Sequence, residues 1–250
     1  MPPFDPWKLR AAKYEPFVET IGTTAQHAAG LRLDHVMGLF RLYWIPSNAS
    51  ASQGAYVRYP GAEMLGLLAE ESRRTSTFIV GEDLGIVEPS MRTRLRRRGV
   101  LSYRLLWFEE TPPAQWPRDA VAAIGTHDRP TVAGIWNLTE PDERQHHLRR
   151  HLVETTHLPD GTPPVDVAVA AYADLARAPS RIALASLEDA LGVEERPNVP
   201  GTTTERPNWR YALPLPLEQV EVADGTRRLV EVMNAARTPR RSGMRSTIPT

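Results

Sequence analysis

The chain has 250 residues, enough to bury a large core as one α/β domain or two small ones. Thirty basic and thirty acidic residues cancel, which excludes the broad positive field that draws proteins to nucleic acid or anionic lipid and leaves a neutral partner as the expectation. Cysteine is absent, which excludes disulfides, thiolate metal sites and a cysteine nucleophile.

In chain order, short apolar runs alternate with longer amphipathic stretches, the pattern of βα units around a parallel sheet. The first run, LRLDHV at 31–36, is followed by a predicted crossover helix over 61–75, with Met64, Leu65, Leu67 and Leu68 at helical spacing and Glu70, Glu71, Arg73 and Arg74 beyond them. FIVGEDL at 78–84 is the second run, and 88–98 reads as a helix with Pro89 in its first turn. That helix carries five arginines with no interleaved aromatics, so it is read as a solvated face rather than a nucleic-acid patch. Runs three and four are VLSYRLLWF at 100–108 and AVAAIGTHD at 120–128. Residues 139–179 are expected to form an insertion holding two helices, over 140–153 and 165–176. RIALASL at 181–187 is the fifth run, a helix over 217–236 with a break at Asp224 and Gly225 comes next, and 237–250 reads as a disordered tail. Only Lys8 and Lys13 are lysines, an arginine bias expected of a GC-rich genome. With no 18-residue apolar run and no basic-then-apolar leader, the expectation is a soluble, cytoplasmic protein.

Three runs carry an acid at or near their end: Asp34, Glu82 and Asp128. In parallel barrels the strand C-termini gather on one face, so these carboxylates are expected to share a pocket. Glycosidic bond cleavage is the leading chemistry for such a set, because it needs one protonated and one ionised carboxyl. A turn or helix cap is the alternative for Asp34. For His127 and Asp128 the rival is the metal-binding His-Asp pair of phosphohydrolases, which sits on helices with further histidines. His147 and His151 are four apart, but Leu148 stands where a zincin needs glutamate, so a solvated helix is expected for His146, His147 and His151.

Together the motifs resemble the amylomaltase family, the 4-α-glucanotransferases of the α-amylase superfamily. Arg32-Leu33-Asp34-His35 with Gly38 matches the family's nucleophile segment, Glu82-Asp83-Leu84-Gly85 its acid/base segment, and Gly125-Thr126-His127-Asp128 with Thr131 its third segment. Pro200-Gly201-Thr202-Thr203 and Asn208-Trp209-Arg210 match its closing stretch. By that resemblance Asp34 is the nucleophile, Glu82 the acid/base and Asp128 the transition-state stabiliser. Arg32, His35, His127, Asn208 and Trp209 contact substrate, Arg32 also orienting Asp34. The implied reaction is retaining transfer of an α-1,4-glucan segment to glucose or a maltooligosaccharide, without a cofactor, on neutral glucans rather than nucleic acid or membrane.

The resemblance also implies the fold. The five runs become strands 4 to 8 of a (β/α)8 TIM barrel, with the helical insertion between strands 7 and 8, and residues 1–236 become the C-terminal half of a catalytic domain. Family members usually run to twice this length, so a missing N-terminal barrel half is an expected partner, and the chain alone is expected to be weakly soluble and of little activity. Arg129-Pro130 departs from the Asn-Asp of many members. The alternatives are an α-glucan hydrolase and a catalytically silent glucan-binding fragment.

Overall fold

The computed structural model describes residues 3–85, 87–139 and 142–237. It is an α/β chain that separates into two compact units. The first runs up to Arg104 and adds Pro117–Val121 and Ser180–Ile182; the second holds Leu105–Trp116, Ala122–Pro179 and the chain from Ala183 onward.

The first unit opens with α1 (Pro6–Ala11), whose N-terminal amides of Trp7 and Lys8 are capped by the Asp5 carboxylate with Pro6 in the first turn, and α2 (Glu15–Ala25). β1 (Gly30–Leu33) comes next, followed by an antiparallel hairpin of β2 (Arg41–Trp44) and β3 (Ala55–Arg58). α3 (Gly61–Thr75) has the predicted bounds and buries Met64, Leu65 and Leu68. Each of those side chains is worth about 1.5–3 kcal/mol of burial. α3 leads to β4 (Phe78–Gly81), which pairs parallel with β1 in the register Gly30↔Phe78 to Leu33↔Gly81. Gly81 sits where a Cβ would come within 3.0 Å of Val36 and 3.1 Å of Val100, so a larger residue would press those side chains aside by a few tenths of an ångström. α4 (Pro89–Arg97) precedes a parallel bridge between Val80 and Leu101. The core of this unit joins Leu9, Phe17 and Ile21 to Val36, Leu68, Ile79, Leu95 and Val100.

β5 (Ser102–Leu105), β6 (Ala120–Ala123) and β7 (Ile182–Ala183) form a three-stranded sheet in that order. Ser102 donates to Asp119 and Leu106 to Ala123, while Arg181 donates to Arg118 and Leu184 to Ala122. Both ladders advance in the same direction on each strand, as parallel pairing requires.

The second unit contains α5 (Val132–Trp136), α6 (Glu143–Thr156), α7 (Pro164–Leu175), α8 (Leu187–Ala190), α9 (Leu217–Val220) and α10 (Asp224–Arg237). Its core gathers Trp107, Ile124, Ile135, Leu152, Val167, Tyr172 and Leu175. Beneath the start of α5 lies a buried polar knot: Asp189 accepts from the Val132 amide at 2.7 Å and the Tyr172 hydroxyl at 2.8 Å. The Tyr172 oxygen in turn accepts from the Ser186 amide at 3.0 Å.

The five strands that apolar runs announce, β1, β4, β5, β6 and β7, are each shorter than their run. Residues 34–36, 82–84, 106–108, 124–128 and 184–186 lie past the strand ends, in turns and loops even where a last ladder bond reaches them, and Leu187 opens a helix. Asp224 starts α10 instead of breaking a helix; the interruption lies at 221–223. α4 is not wholly solvated, because Arg92 turns back onto Asp83. On α6, His151 is half-buried rather than solvated, and its Nε2 has no hydrogen-bond partner among the described residues. The predicted helix over 140–153 instead spans Glu143–Thr156, and residues 140 and 141 lie outside the described residues. The tail predicted at 237–250 also lies outside them from residue 238 on. Among the described residues no helix is long and apolar enough to cross a membrane.

Candidate active site

Asp34 and Glu82 stand one residue beyond the C-terminal ends of β1 and β4. The parallel ladder continues through them: the Glu82 amide donates to the Leu33 carbonyl at 2.9 Å, and the Val36 amide to the Glu82 carbonyl at 3.0 Å. Adjacent parallel strands run ~4.8 Å apart, so the two acids project from neighbouring backbones at matched height.

Each acid is held by its own device. Arg32 Nη1 lies 2.7 Å from Asp34 Oδ1, with the Asp34 side chain 75% exposed. An exposed pair of this kind contributes about 0–1 kcal/mol, so its value lies in orientation. Glu82 is fixed by backbone donors: Oε2 accepts from the His35 amide at 3.0 Å and Oε1 from the Leu84 amide at 2.8 Å. A carboxylate offers about four lone-pair sites, so acceptor capacity remains on both oxygens. His35 adopts a left-handed backbone, φ 44°, which ends β1 and aims its amide at Glu82.

Behind Glu82 lies an acid that the sequence reading passed over. The Asp83 side chain is fully buried; its Oδ2 meets Arg92 Nε at 3.0 Å and Arg104 Nη1 at 3.6 Å, and its Oδ1 accepts from the Tyr103 amide at 2.8 Å. Successive residues of an extended chain point to opposite sides. Glu82 thereby ties the loop to residues 33–36 while Asp83 ties it to β5 and α4. Tyr103 adds an aromatic wall, 5.9 Å from the Arg32 guanidinium. Burial raises its hydroxyl pKa above the ordinary 10.0, Arg32 opposing and Glu82 reinforcing the shift.

The second unit holds its own cluster. Asp128 Oδ1 accepts from Asn198 Nδ2 at 2.7 Å and lies 3.2 Å from His127 Nε2. The Asp128 carbonyl accepts from Arg196 Nη1 at 3.4 Å, and the His127 carbonyl from the Asn198 amide at 3.1 Å. Trp209, 65% exposed and also left-handed at φ 60°, sets its ring 5.0 Å from that of His127. Asn208 uses its amide on its own loop, donating to Thr202 Oγ1 at 2.8 Å and accepting from the Val199 amide at 3.1 Å.

Asn198 and Arg196 were not singled out from sequence, although Arg196-Pro197-Asn198 is repeated as Arg206-Pro207-Asn208. That duplication was the available signal, and the copy without a motif match is the one that touches Asp128. Among the described residues no group of three or more His, Cys, Asp or Glu is arranged to hold a metal ion.

A sequence model described as 4-alpha-glucanotransferase matches residues 1–217. The chain belongs to the 4-alpha-glucanotransferase family. It is 36% identical to the 4-alpha-glucanotransferase of Mycobacterium tuberculosis (strain ATCC 25618 / H37Rv) over 275 residues, covering 95% of this chain and 38% of that protein. The enzyme of the same name from Haemophilus influenzae is 34% identical and is matched over 87% of this chain and 36% of its own length. The chain therefore spans less than two fifths of these family relatives. Among solved structures, amylomaltase from Corynebacterium glutamicum superposes with a TM-score of 0.83 at 25% identity, over 93% of this chain and 39% of that one. Amylomaltase from Streptococcus agalactiae, solved in complex with acarbose, shares the fold with a TM-score of 0.73 at 18% identity, over 91% of this chain and 45% of that one.

Proposed function

We propose that this chain carries the catalytic carboxylates of a 4-α-glucanotransferase, with Asp34 as nucleophile, Glu82 as acid/base and Asp128 as transition-state stabiliser. The observation that carries the reading is the matched placement of Asp34 and Glu82 at the ends of two hydrogen-bonded parallel strands, one acid paired with Arg32 and the other clasped by two backbone amides.

In the first step an Asp34 oxygen bonds to the anomeric carbon of a maltooligosaccharide as the glycosidic C–O bond breaks, and Glu82 passes its proton to the departing 4-oxygen. In the second, Glu82 takes the proton from the 4-hydroxyl of an incoming glucan, that oxygen bonds to the anomeric carbon, and Asp34 leaves as carboxylate. Asp128, held by Asn198, hydrogen-bonds sugar hydroxyls and strengthens its hold as the ring flattens towards the oxocarbenium state. Arg32, His35, His127, Asn208 and Trp209 complete the sugar site, Trp209 with an exposed indole face. Donors are maltooligosaccharides, acceptors are glucose or shorter glucans, and no cofactor takes part. The cytoplasmic setting is part of the same proposal.

The fold reading extends it. Strands β1, β4, β5, β6 and β7 are strands 4 to 8 of a (β/α)8 barrel, residues 139–179 are the insertion before the last strand, and 1–236 are the C-terminal half of the catalytic domain. Two facts support this reading: the chain covers 38% of its relative from Mycobacterium tuberculosis, and β1 pairs on one edge alone among the described residues.

Thin-layer analysis of maltotriose, incubated with the chain alone and with a separately produced N-terminal half of a related enzyme, tests the proposal. Glucose together with maltopentaose, abolished by Asp34→Asn, is the expected result. Glucose and maltose alone would establish a hydrolase, and silence from folded protein in both mixtures would leave a glucan-binding fragment.

A further inference from the structure

Several arginines are neutralised by a carboxylate: Arg32 by Asp34, Arg92 by Asp83, Arg149 by Asp160 and Arg181 by Asp119. Arg129 and Arg144 are different. Both guanidinium groups are drawn to one ring, Phe108, at 4.7 Å and 5.7 Å from its centroid, and among the described residues neither has a carboxylate within ion-pair distance. Arg129 immediately follows Asp128, and Arg144 lies in the first turn of α6. Partial burial pushes the Arg129 guanidinium below its ordinary pKa, and the charges of Arg144 and Arg196 push it the same way. Asp128 opposes the shift, but its Oδ1 is already engaged by His127 and Asn198.

A cation stacked on an aromatic face keeps its in-plane N–H groups free to bind at the edge. Two such edges, mutually repelling and one of them partly removed from water, are stabilised by a bound dianion that accepts from both.

We infer that Arg129 and Arg144 form an anion site over Phe108, beside Asp128, that takes the phosphate monoester of a phosphorylated glucose or glucan. The sugar part of the inference rests on the glucan-transfer reading; the anion part does not. Arg129 would thus be a specificity residue.

Isothermal titration of the 250-residue chain with glucose 1-phosphate, inorganic phosphate and glucose tests it. Glucose 1-phosphate is expected to bind at least tenfold more tightly than glucose. Arg129→Asn and Arg144→Gln should each weaken it at least tenfold, and Arg73→Gln, on the exposed end of α3, should leave it unchanged. Arg144 is exposed, so Arg144→Gln carries the test if Arg129→Asn fails to fold. Equal binding of glucose and glucose 1-phosphate, or parent-like binding by a folded variant, overturns the site. Inorganic phosphate binding as tightly as glucose 1-phosphate overturns the sugar-phosphate assignment. Asp34→Asn separates the two readings. Retained glucose 1-phosphate binding with no transfer either alone or with the N-terminal half sinks the transferase alone, and transfer with no phosphate binding sinks this inference alone.

Discussion

Replacing Asp83 by alanine removes, in one step, the acceptor of the Tyr103 amide and the carboxylate that faces Arg92 and Arg104. Deleting one partner of a buried ion pair costs about 3–5 kcal/mol. Arg92 is 38% exposed and can rehydrate, which brings that cost down to about 2 kcal/mol, while the orphaned buried amide adds about 1–3 kcal/mol. A net loss of about 3–5 kcal/mol follows. For a chain of this size each kcal/mol lowers Tm by roughly 2–4 °C, so the first unit should melt about 6–20 °C earlier. Asp83→Asn keeps an acceptor for Tyr103 but not the charge, and should lose about half as much. Both variants should also depress glucan transfer below the level set by their folded fraction, because the loop carrying Glu82 is freed on its α4 side. Circular dichroism melts and maltotriose assays on both variants check this. A drop of less than ~2 °C for Asp83→Ala would refute the reasoning, since it would mean that the buried carboxylate had contributed nothing net.

Two further outcomes follow from the second unit. Burial holds the Asp189 carboxyl above its ordinary value of 3.8. The native state therefore binds this proton more tightly than the unfolded chain, and the group's contribution to stability falls as pH rises from 3.8 through the raised native value; Asp189→Asn should flatten that decline in melts taken from about pH 4 to pH 7. Asn198→Ala should lower kcat/KM about ten- to a hundredfold with little change in Tm, because a hydrogen bond to a charged group is worth about 1.5–3 kcal/mol and this one is only half-buried.

Much of the site was legible because its residues lie in short contiguous motifs, and three of these end apolar runs. Asp34 and Glu82 stand one residue past β1 and β4, and Asp128 five residues past β6. The exact strand lengths were not legible, since hydrophobicity continues past the strand ends: Leu106, Trp107 and Ile124 are buried outside any strand. The hairpin of β2 and β3 escaped because each arm has four residues and its aromatic positions Tyr43 and Tyr56 face solvent, packing on each other at 5.1 Å instead of on a core. The helices α1 and α2 carried readable signals, Asp5-Pro6 and Glu15-Pro16, that hydrophobic periodicity over so few turns did not amplify. Partners distant in sequence were invisible in principle. Nothing near Asp83 announces Tyr103, and nothing near Asp128 announces Asn198, because each contact exists only once the chain has folded back on itself.

The backbone at His35 separates a residue kept for chemistry from one kept for structure. A left-handed conformation costs a non-glycine residue about 1–2 kcal/mol, whereas glycine adopts it freely but loses about 0.5–1 kcal/mol more in chain entropy. His35 is exposed, and its contribution to the site's geometry is the amide bonded to Glu82, which glycine retains. His35→Gly should therefore leave stability within about 1 kcal/mol of the parent and keep Glu82 in place. If the imidazole binds sugar hydroxyls, the same variant should raise KM for maltotriose. A fall in stability of more than ~2 kcal/mol would show instead that the imidazole packs the turn, and would account for the histidine without any part in binding. The two outcomes are read from a single variant by melting and by kinetics, so strain and function at this turn can be told apart.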